Sequence, residues 1–170
     1  KSKNIFPKNM RYLDFLHIIA EKQILYLYRN NAVVKSYSIA TSRYGLGECQ
    51  GSYKTPRGWH RVRAKIGAGQ SINTVFVGRL PTGEIYTPQL AEQYPDRDWI
   101  LTRILWLSGI ELGKNRLGKV DTMQRYIYIH GTPDEVQFGI PSSHGCIRMH
   151  NEDLIELFDL ITVGEKVLIT

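Results

Sequence analysis

One cysteine near the C-terminal end of the chain has the neighbours that a thiol nucleophile needs. Cys146 lies in residues 143–148 (SHGCIR), and a second histidine, His130, precedes it in residues 128–131 (YIHG). The thiolate is the reactive form of cysteine, and a nearby imidazole can generate it near neutral pH by taking the proton. The pattern therefore predicts nucleophilic catalysis by Cys146, with His130 or His144 as the proton acceptor.

The residues just before Cys146 predict how a reacting carbonyl is held. Gly145 has no Cβ, so the backbone can turn sharply and approach a substrate closely. We expect the N–H groups of His144, Gly145 and Cys146 to converge on one point, as an oxyanion hole requires. His144 would share the side of Cys146 in an extended segment and would orient the thiol or polarise the carbonyl. Ser143 is expected to hold one of the imidazoles.

The position of His130 predicts a general base on a rigid support. Residues 125–129 alternate in the way of a β-strand, so His130 is expected at the end of that strand, facing a loop. The alternatives are ordinary structural roles. A lone cysteine is usually a small buried hydrophobe, and His130 could be a buried histidine with satisfied hydrogen bonds.

These residues resemble the catalytic domain of the L,D-transpeptidase (YkuD-like) family. The family signature is a His-Gly pair, a loop of about a dozen or more residues, and then Ser/Thr-His-Gly-Cys. Here the pair is His130-Gly131, and the second part is residues 143–146. Residues 23–40 resemble the family's opening hairpin, residues 55–58 (TPRG) its Thr-Pro-x-Gly turn, and residues 164–167 its closing strand. The resemblance covers the chain from about residue 22 to its end.

The resemblance implies an enzyme that acts on the stem peptides of peptidoglycan. Cys146 would attack the carbonyl before the terminal D-alanine and form a thioester, with His130 as proton acceptor and later donor. Backbone N–H groups around Gly145 and Cys146 would form the oxyanion hole, supported by Ser143 and Gly131. An amine of a second stem or of a lipoprotein would then take the acyl group; transfer to water would make the protein an L,D-carboxypeptidase. The resemblance implies no cofactor and no metal, and acylation by carbapenems.

Two arginines are candidates for binding the carboxylates of a stem peptide. Arg148 would bind such a group, or would pair with a local acid such as Glu152. Arg103 falls in the same predicted strand as Trp106 and would line the pocket.

Two other classes of function remain open. Zinc binds histidine and cysteine, so His130, His144 and Cys146 could form a metal site, with His60 or Cys49 as a further ligand. The sequence has no Cys-x-x-Cys or His-Glu-x-x-His element to favour it. A noncatalytic wall-binding module is the other alternative. Cys49 is expected to be a free thiol, because a stable disulfide to Cys146 would abolish the predicted activity.

The elements predict a mainly β fold: an L,D-transpeptidase-like β-sandwich or mixed sheet, with one clear C-terminal helix and short additional helices. We expect a single domain over residues 1–170, of which residues 1–12 form a loose arm. Strands are predicted at 23–29, 32–40, 59–66, 74–80, 100–107, 125–129 and 167–169, with a turn at 81–83 and a short helix at 91–94. Residues 108–122 are predicted as a loop that forms a lid or a wall of the acceptor site. Asn151 is predicted to cap a helix whose buried face carries Leu154, Leu157, Phe158 and Ile161.

Composition narrows the partners without identifying them. The chain has 170 residues, 42% hydrophobic and 22% charged, and a formal net charge of +6. A basic surface favours anionic wall polymers, but no nucleic-acid-binding signature and no transmembrane segment is present in the sequence. No signal peptide is visible. A periplasmic location is expected if a signal has been removed, and a cytoplasmic one is the alternative.

Overall fold

The computed structural model describes residues 12–170, so the predicted arm at residues 1–12 falls outside the described residues except for Tyr12. The described chain contains ten strands and two α-helices, with a single 3-10 turn at Gly118–Val120. The elements are β1 Phe15–Ile19, β2 Ile24–Arg29, β3 Ala32–Ala40, β4 Gly58–Ile66, β5 Thr74–Val77, β6 Leu80–Ile85, α1 Pro88–Gln93, β7 Ile100–Gly109, β8 Tyr128–Gly131, β9 Ile147–Met149, α2 Asn151–Leu160 and β10 Lys166–Ile169.

The strands form one mixed sheet that closes on itself. Its order is β4-β10-β1-β2-β3-β9-β8-β7, and an additional β4–β7 pairing joins the two ends. β5 and β6 extend from β7 as a hairpin. The β1–β10 and β8–β9 pairs are parallel and the others are antiparallel. The predicted mainly β fold with a mixed sheet is confirmed, and the closure gives it a barrel-like shape.

The inner face of the barrel and one face of α2 form the main core. Leu154, Leu157 and Phe158 of α2 and Ile161 just after it are buried in this core, as predicted, together with inward-facing residues of the strands. Each fully buried large aliphatic side chain stabilises the fold by about 1.5–3 kcal/mol. Because α2 starts two residues after β9 ends, this packing anchors the segment that carries Cys146.

Two hairpins illustrate where the turn prediction holds and where it is wrong. The β2–β3 hairpin turns at Asn30 and Asn31, whose φ angles of 49° and 63° suit a two-residue turn. The second hairpin turns at Gly78 and Arg79, with φ angles of 57° and 65°, and not at residues 81–83. Residues 81–83 lie within β6, where Pro81 is tolerated because β6 is the edge strand.

The strand that carries His130 is shorter than predicted at its start and longer at its end. β8 begins only at Tyr128, because Tyr126 has a φ of 55° that an extended strand does not allow. His130 therefore lies inside β8, one residue before its end, and is held by strand pairing on both sides.

The predicted helix cap is also corrected. Asn151 is the first helical residue of α2, and His150 occupies the capping position without a side-chain hydrogen bond. The Asn151 amide instead joins distant segments: its Nδ2 donates to the Thr132 carbonyl at 2.9 Å, and its Oδ1 accepts from Thr102 Oγ1 at 2.6 Å. This network fixes the start of α2 against β7 and the residue that follows β8.

Candidate active site

The parallel pairing of β8 with β9 brings the two principal site residues together. Ile129 is paired with Ile147, and His130 with Arg148. One position earlier, the Tyr128 N–H donates to Cys146 Sγ at 3.4 Å, and Cys146 packs against the cluster that contains Tyr128. Because alternate residues of a strand share a face, His130 lies on the same face as Tyr128. Cys146 lies in the bend just before β9, so its side chain is expected on the same face of the sheet as His130.

The environment of His130 favours a neutral imidazole with one free lone pair. The side chain is buried, and its Nδ1 lies 2.6 Å from the Gly131 carbonyl, to which it donates. The other ring nitrogen, Nε2, then carries no proton. Burial lowers the pKa of His130 below its usual value, while Asp98 acts in the opposite direction. His130 can therefore accept a proton at neutral pH.

The environment of Cys146 favours the thiol in the resting protein. Its Sγ accepts from the Tyr128 N–H and donates to the Tyr126 carbonyl, each at 3.4 Å. Burial raises the pKa of the thiol to about 12, although the Tyr128 N–H, Arg148 and Arg125 act to lower it. A thiolate is thus not the resting form, so Cys146 needs a proton acceptor before its sulfur can act as a nucleophile.

The turn before Cys146 is held by Ser143, which does not hold an imidazole as the sequence suggested. The Ser143 hydroxyl donates to the Cys146 carbonyl and accepts from the Gly145 N–H. The Gly145 N–H is therefore already used, which removes it from the expected oxyanion hole and leaves His144 and Cys146 as the candidate donors. Gly145 itself has a φ of 128°, which an L side chain rarely adopts, and a Cβ there would lie 3.3 Å from Ile127.

Thr55, from the Thr-Pro-x-Gly turn, connects the loop at residues 41–57 to the turn at residues 143–146. Its buried hydroxyl donates to the Gly145 carbonyl at 2.9 Å and accepts from the Ser42 N–H at 3.0 Å. The Ser143 carbonyl in turn accepts from the Arg43 N–H at 3.0 Å. The turn is therefore fixed from outside by backbone and side-chain groups of one loop.

Replacing Thr55 by valine is expected to lower the free energy of unfolding by about 1–3 kcal/mol, because the buried Gly145 carbonyl and Ser42 N–H both lose their partner. Thr55→Ser keeps the hydroxyl and is the matched control. Urea denaturation of the two variants measures the difference. Equal stability of the valine and serine variants would show that the hydroxyl does not hold the turn.

His144 lies at the rim of the site. Its side chain is exposed, and its ring centroid is 6.2 Å from that of Tyr44 and 6.3 Å from that of Tyr53. Residues 144–146 form a bend, so the expectation that His144 shares one side of an extended segment with Cys146 is wrong. A direct role for His144 stays a prediction.

Gly131 lies where two other segments approach the backbone. A Cβ at this position would come 2.1 Å from Asn151 Oδ1 and 2.6 Å from the Leu101 carbonyl oxygen. Only glycine allows this approach, which also places the Gly131 carbonyl to accept from His130.

Arg148 is paired inside the protein, and its partner is not Glu152. Its guanidinium contacts Asp98 Oδ1 at 3.1 Å and the Ser142 hydroxyl at 3.1 Å. The sequence did not point to Asp98, which is distant in the chain and precedes β7. The carboxylate raises the pKa of both His130 and Cys146, which places its charge near the two of them.

Arg103 does not line the site with Trp106. The two residues are three positions apart on β7, and Trp106 packs with the Cys146 cluster on one face. The Arg103 guanidinium lies on the α2 side, 5.5 Å from the ring of Phe158, and donates to the carbonyls of Gln70 and Thr102. It is nearly buried there, so the expected contact with substrate is not supported.

Arg79 is a site residue that sequence analysis missed. From the tip of the β5–β6 hairpin, its Nη1 donates to the Tyr128 hydroxyl at 2.9 Å. The guanidinium lies 4.7 Å from the ring centroid of Trp106 and 5.0 Å from that of Tyr126. No carboxylate of residues 12–170 forms an ion pair with it. A partly exposed cation thus lies against the residues that contact Cys146 Sγ.

The remaining candidates for a metal site are spread over the molecule. Residues 12–170 hold no group of three or more His, Cys, Asp or Glu side chains placed to bind a metal ion. His60 is buried, and its two ring nitrogens contact the Gly58 carbonyl and Thr122 Oγ1. Cys49 is an exposed free thiol, as expected.

No helix of the described part of the chain is long and apolar enough to cross a membrane.

The fold and this site define an L,D-transpeptidase catalytic domain. The model of that family matches residues 15–169, and the chain belongs to the family. Among curated proteins, the putative L,D-transpeptidase YqjB of Bacillus subtilis is 55% identical over 42 residues, which is 25% of this chain and 24% of the relative. The probable L,D-transpeptidase YbiS of Escherichia coli is 44% identical over 43 residues, 25% of this chain and 14% of the relative.

Solved structures of L,D-transpeptidases share the fold. The Enterococcus faecium enzyme superposes with a TM-score of 0.56 at 15% identity, over 94% of this chain and 50% of that one. L,D-transpeptidase 3 of Mycobacterium tuberculosis, in complex with a faropenem-derived adduct, has a TM-score of 0.56 at 16% identity, over 93% of this chain and 60% of that one. The chain thus spans about half to three fifths of the length of these proteins.

Proposed function

We propose that the protein transfers acyl groups between peptidoglycan stem peptides through a thioester on Cys146. The β8–β9 register supports this proposal, because the strand that carries the buried His130 pairs with the strand that begins directly after Cys146. A structural histidine would have both ring nitrogens bonded, as in His60. In His130 only Nδ1 has a partner among the described residues.

The proposed chemistry begins with two neutral groups. As Cys146 Sγ attacks the carbonyl before the terminal D-alanine, its proton passes to His130 Nε2. The oxygen of the resulting tetrahedral adduct is negative, and backbone N–H groups at the turn stabilise it. When the C–N bond breaks, the imidazolium gives its proton to the leaving D-alanine amine. A second amine then attacks the thioester, its proton goes to His130, and the thiolate leaves and is reprotonated.

We assign the binding of a substrate carboxylate to Arg79 in place of Arg148. Arg148 is already paired with Asp98, whereas the partners of Arg79 among residues 12–170 are a neutral hydroxyl and two aromatic rings. Stem peptides carry several carboxylates, and a guanidinium binds such a group with two parallel hydrogen bonds. Tyr128 connects this cation to the sulfur, because its hydroxyl accepts from Arg79 and its backbone N–H donates to Cys146.

The Arg79→Gln variant is expected to raise KM for a stem tetrapeptide by about tenfold, because a charge-assisted hydrogen bond is lost. Since the rings of Trp106 and Tyr126 stay in place, kcat should change less than KM. Arg97→Gln is the matched control, because Arg97 also lies over two aromatic rings, those of Tyr94 and Trp99. Steady-state release of D-alanine measures both constants. An unchanged KM, or the same rise in the control, would contradict the assignment.

One product analysis tests the proposed function and identifies the acceptor. The protein is incubated with a disaccharide-tetrapeptide, with and without a second stem peptide, and the masses of the products are measured by mass spectrometry. A cross-linked dimer indicates transpeptidation, and tripeptide with free D-alanine indicates the L,D-carboxypeptidase alternative. Recovery of intact tetrapeptide in every reaction would overturn the proposal. We propose the periplasm as the compartment, since this is where the cross-linked polymer lies.

A further inference from the structure

A basic cleft lies on the outer surface beside the candidate active site. It has a volume of about 570 Å³ and lies over β4, β7 and β10, with residues 116–124 as one wall. Its lining includes four cations, Arg61, Arg63, Arg116 and Lys166. Of these four, only Arg116 lies in residues 108–122, which the sequence predicts as a lid or a wall of the acceptor site.

The four cations have no acidic partners in the described part of the chain. None of them forms an ion pair with a carboxylate of residues 12–170. One acid, Asp121, lines the same cleft, but its two oxygens accept from the N–H groups of Leu117 and Gln124. With four cations and one carboxylate in its lining, the cleft has an excess of positive charge.

The arrangement of these cations opposes folding stability. Lys166 of β10 is directly paired with Arg61 of β4, and like charges opposite each other on adjacent strands are destabilising. Arg63 is the extra residue at a β-bulge, between Val62 and Ala64, where a side chain can be re-aimed. A sheet surface that sets cations opposite one another is better explained by a bound anion than by packing.

Trp106 connects the cleft to the candidate active site. The Arg63 guanidinium lies 5.7 Å from the centroid of its ring, and that of Arg79 lies 4.7 Å from the same centroid. Trp106 Nε1 also donates to the carbonyl of Met123, which lines the cleft. Cys146 directly precedes β9, and the cleft lies over β4, which is three strands from β9 in the order β9-β8-β7-β4. At the usual spacing of neighbouring strands, this separation is about 14 Å. An extended peptide of four to five residues spans that distance at about 3.3 Å per residue.

We propose that this cleft binds the carboxylates of the stem peptide that accepts the acyl group. The inference rests on the proposed function and deepens it, because it assigns the acceptor a binding site. Charge complementarity with a peptide that bears several carboxylates favours this occupant, and so does the continuity with the site through Trp106. The cleft then holds the acceptor and Arg79 the donor, and both meet at the ring of Trp106.

Binding to an inactive protein tests the inference without turnover. The probe is a disaccharide-tripeptide, which keeps its carboxylates but lacks the D-alanine needed for donation, and titration calorimetry is done in the Cys146→Ala background. Arg61→Gln/Lys166→Gln, and separately Arg116→Gln, are expected to weaken binding about tenfold and severalfold, respectively. The double variant removes a like-charge pair, so it should fold; the loop residue Arg116 provides an independent second measurement.

The matched control is Lys22→Gln/Lys35→Gln, which removes the same two charges near β2 and β3 and should leave affinity within twofold. A tripeptide with its carboxylates amidated should bind weakly to every variant alike. Unchanged affinity in the cleft variants, or equal losses in the control, would overturn the inference. A cleft variant that loses binding only to a glycerol-phosphate oligomer would overturn it too, since phosphodiesters would then be the occupant.

Kinetics with the active protein separate this inference from the proposed function. At saturating donor, the cleft double variant should raise KM for a stem acceptor about tenfold and leave transfer to glycinamide unchanged, because glycinamide has no carboxylate. Cross-linking at an unaltered acceptor KM would overturn the cleft assignment while leaving the acyl-transfer proposal intact. Cleft-dependent tripeptide binding without any turnover would instead count against the acyl-transfer proposal alone.

Discussion

Cys146→Ala is expected to remove release of D-alanine and cross-linking by at least about 10⁴-fold, because no other group of the site can carry the acyl fragment. The variant should keep its fold, since Cys146 is only half-buried and the turn is held by the hydroxyls of Ser143 and Thr55. Product analysis by mass spectrometry measures the first effect, and urea denaturation the second.

The second cysteine provides the control for that experiment. Cys49→Ala removes an exposed thiol and should leave turnover unchanged. With a carbapenem, intact mass should show one adduct on the Cys49→Ala protein and none on the Cys146→Ala protein. Turnover of the Cys146→Ala protein near the wild-type rate would show that Cys146 is not the nucleophile.

The raised pKa of the Cys146 thiol predicts how alkylation of this residue depends on pH. Because burial holds the pKa of Cys146 at about 12, only a small fraction is thiolate at pH 7. Alkylation of Cys146 by iodoacetamide should therefore be slow near neutrality and rise steadily towards pH 10. Substrate-driven acylation should be fast at neutral pH, because proton transfer to His130 accompanies attack.

The part of the site that is local in sequence was predictable. The spacing of His130-Gly131 and residues 143–146 predicts a nucleophile and a base, and the β8–β9 pairing brings the segment after Cys146 next to the strand of His130. The hairpin at Asn30 and Asn31 was equally predictable, because two consecutive residues that tolerate positive φ identify a two-residue turn.

What the sequence could not provide are contacts that depend on the closed sheet. Arg79 was missed because its role arises only when the β5–β6 hairpin folds beside β7 and β8, and because the turn had been placed at residues 81–83. Asp98 was missed because nothing local distinguishes it from other exposed acids. Arg103 was wrongly placed with Trp106, since an odd separation along a strand puts two side chains on opposite faces.

The hydrogen bonds of the catalytic turn show a similar limit. Residue types alone suggested that three successive N–H groups point to one oxyanion. The structure uses the middle one, that of Gly145, to bind Ser143, because the turn needs an internal bond to keep its shape. Which donors remain could be decided only from the folded backbone.

His130→Ala is expected to lower kcat/KM by at least about 10²-fold, because the proton of Cys146 then has no acceptor in the site. His144→Ala should cause a smaller loss, since His144 lies at the rim between Tyr44 and Tyr53. Both variants are compared with the wild type by steady-state release of D-alanine. Wild-type rates in His130→Ala would contradict its role as the base.

The pH dependence separates a catalytic His130 from a merely structural one. Burial lowers the pKa of His130, so the base form persists below pH 6.5 and the acid limb of kcat/KM should lie below that value. Asp98 opposes this shift by favouring the imidazolium. In Asp98→Asn the imidazolium loses that support, and the acid limb should move to still lower pH. Loss of the Asp98 charge can only lower the pKa of His130. An acid limb of kcat/KM that stays fixed or moves to higher pH in Asp98→Asn would therefore mean that a group other than His130 controls the activity.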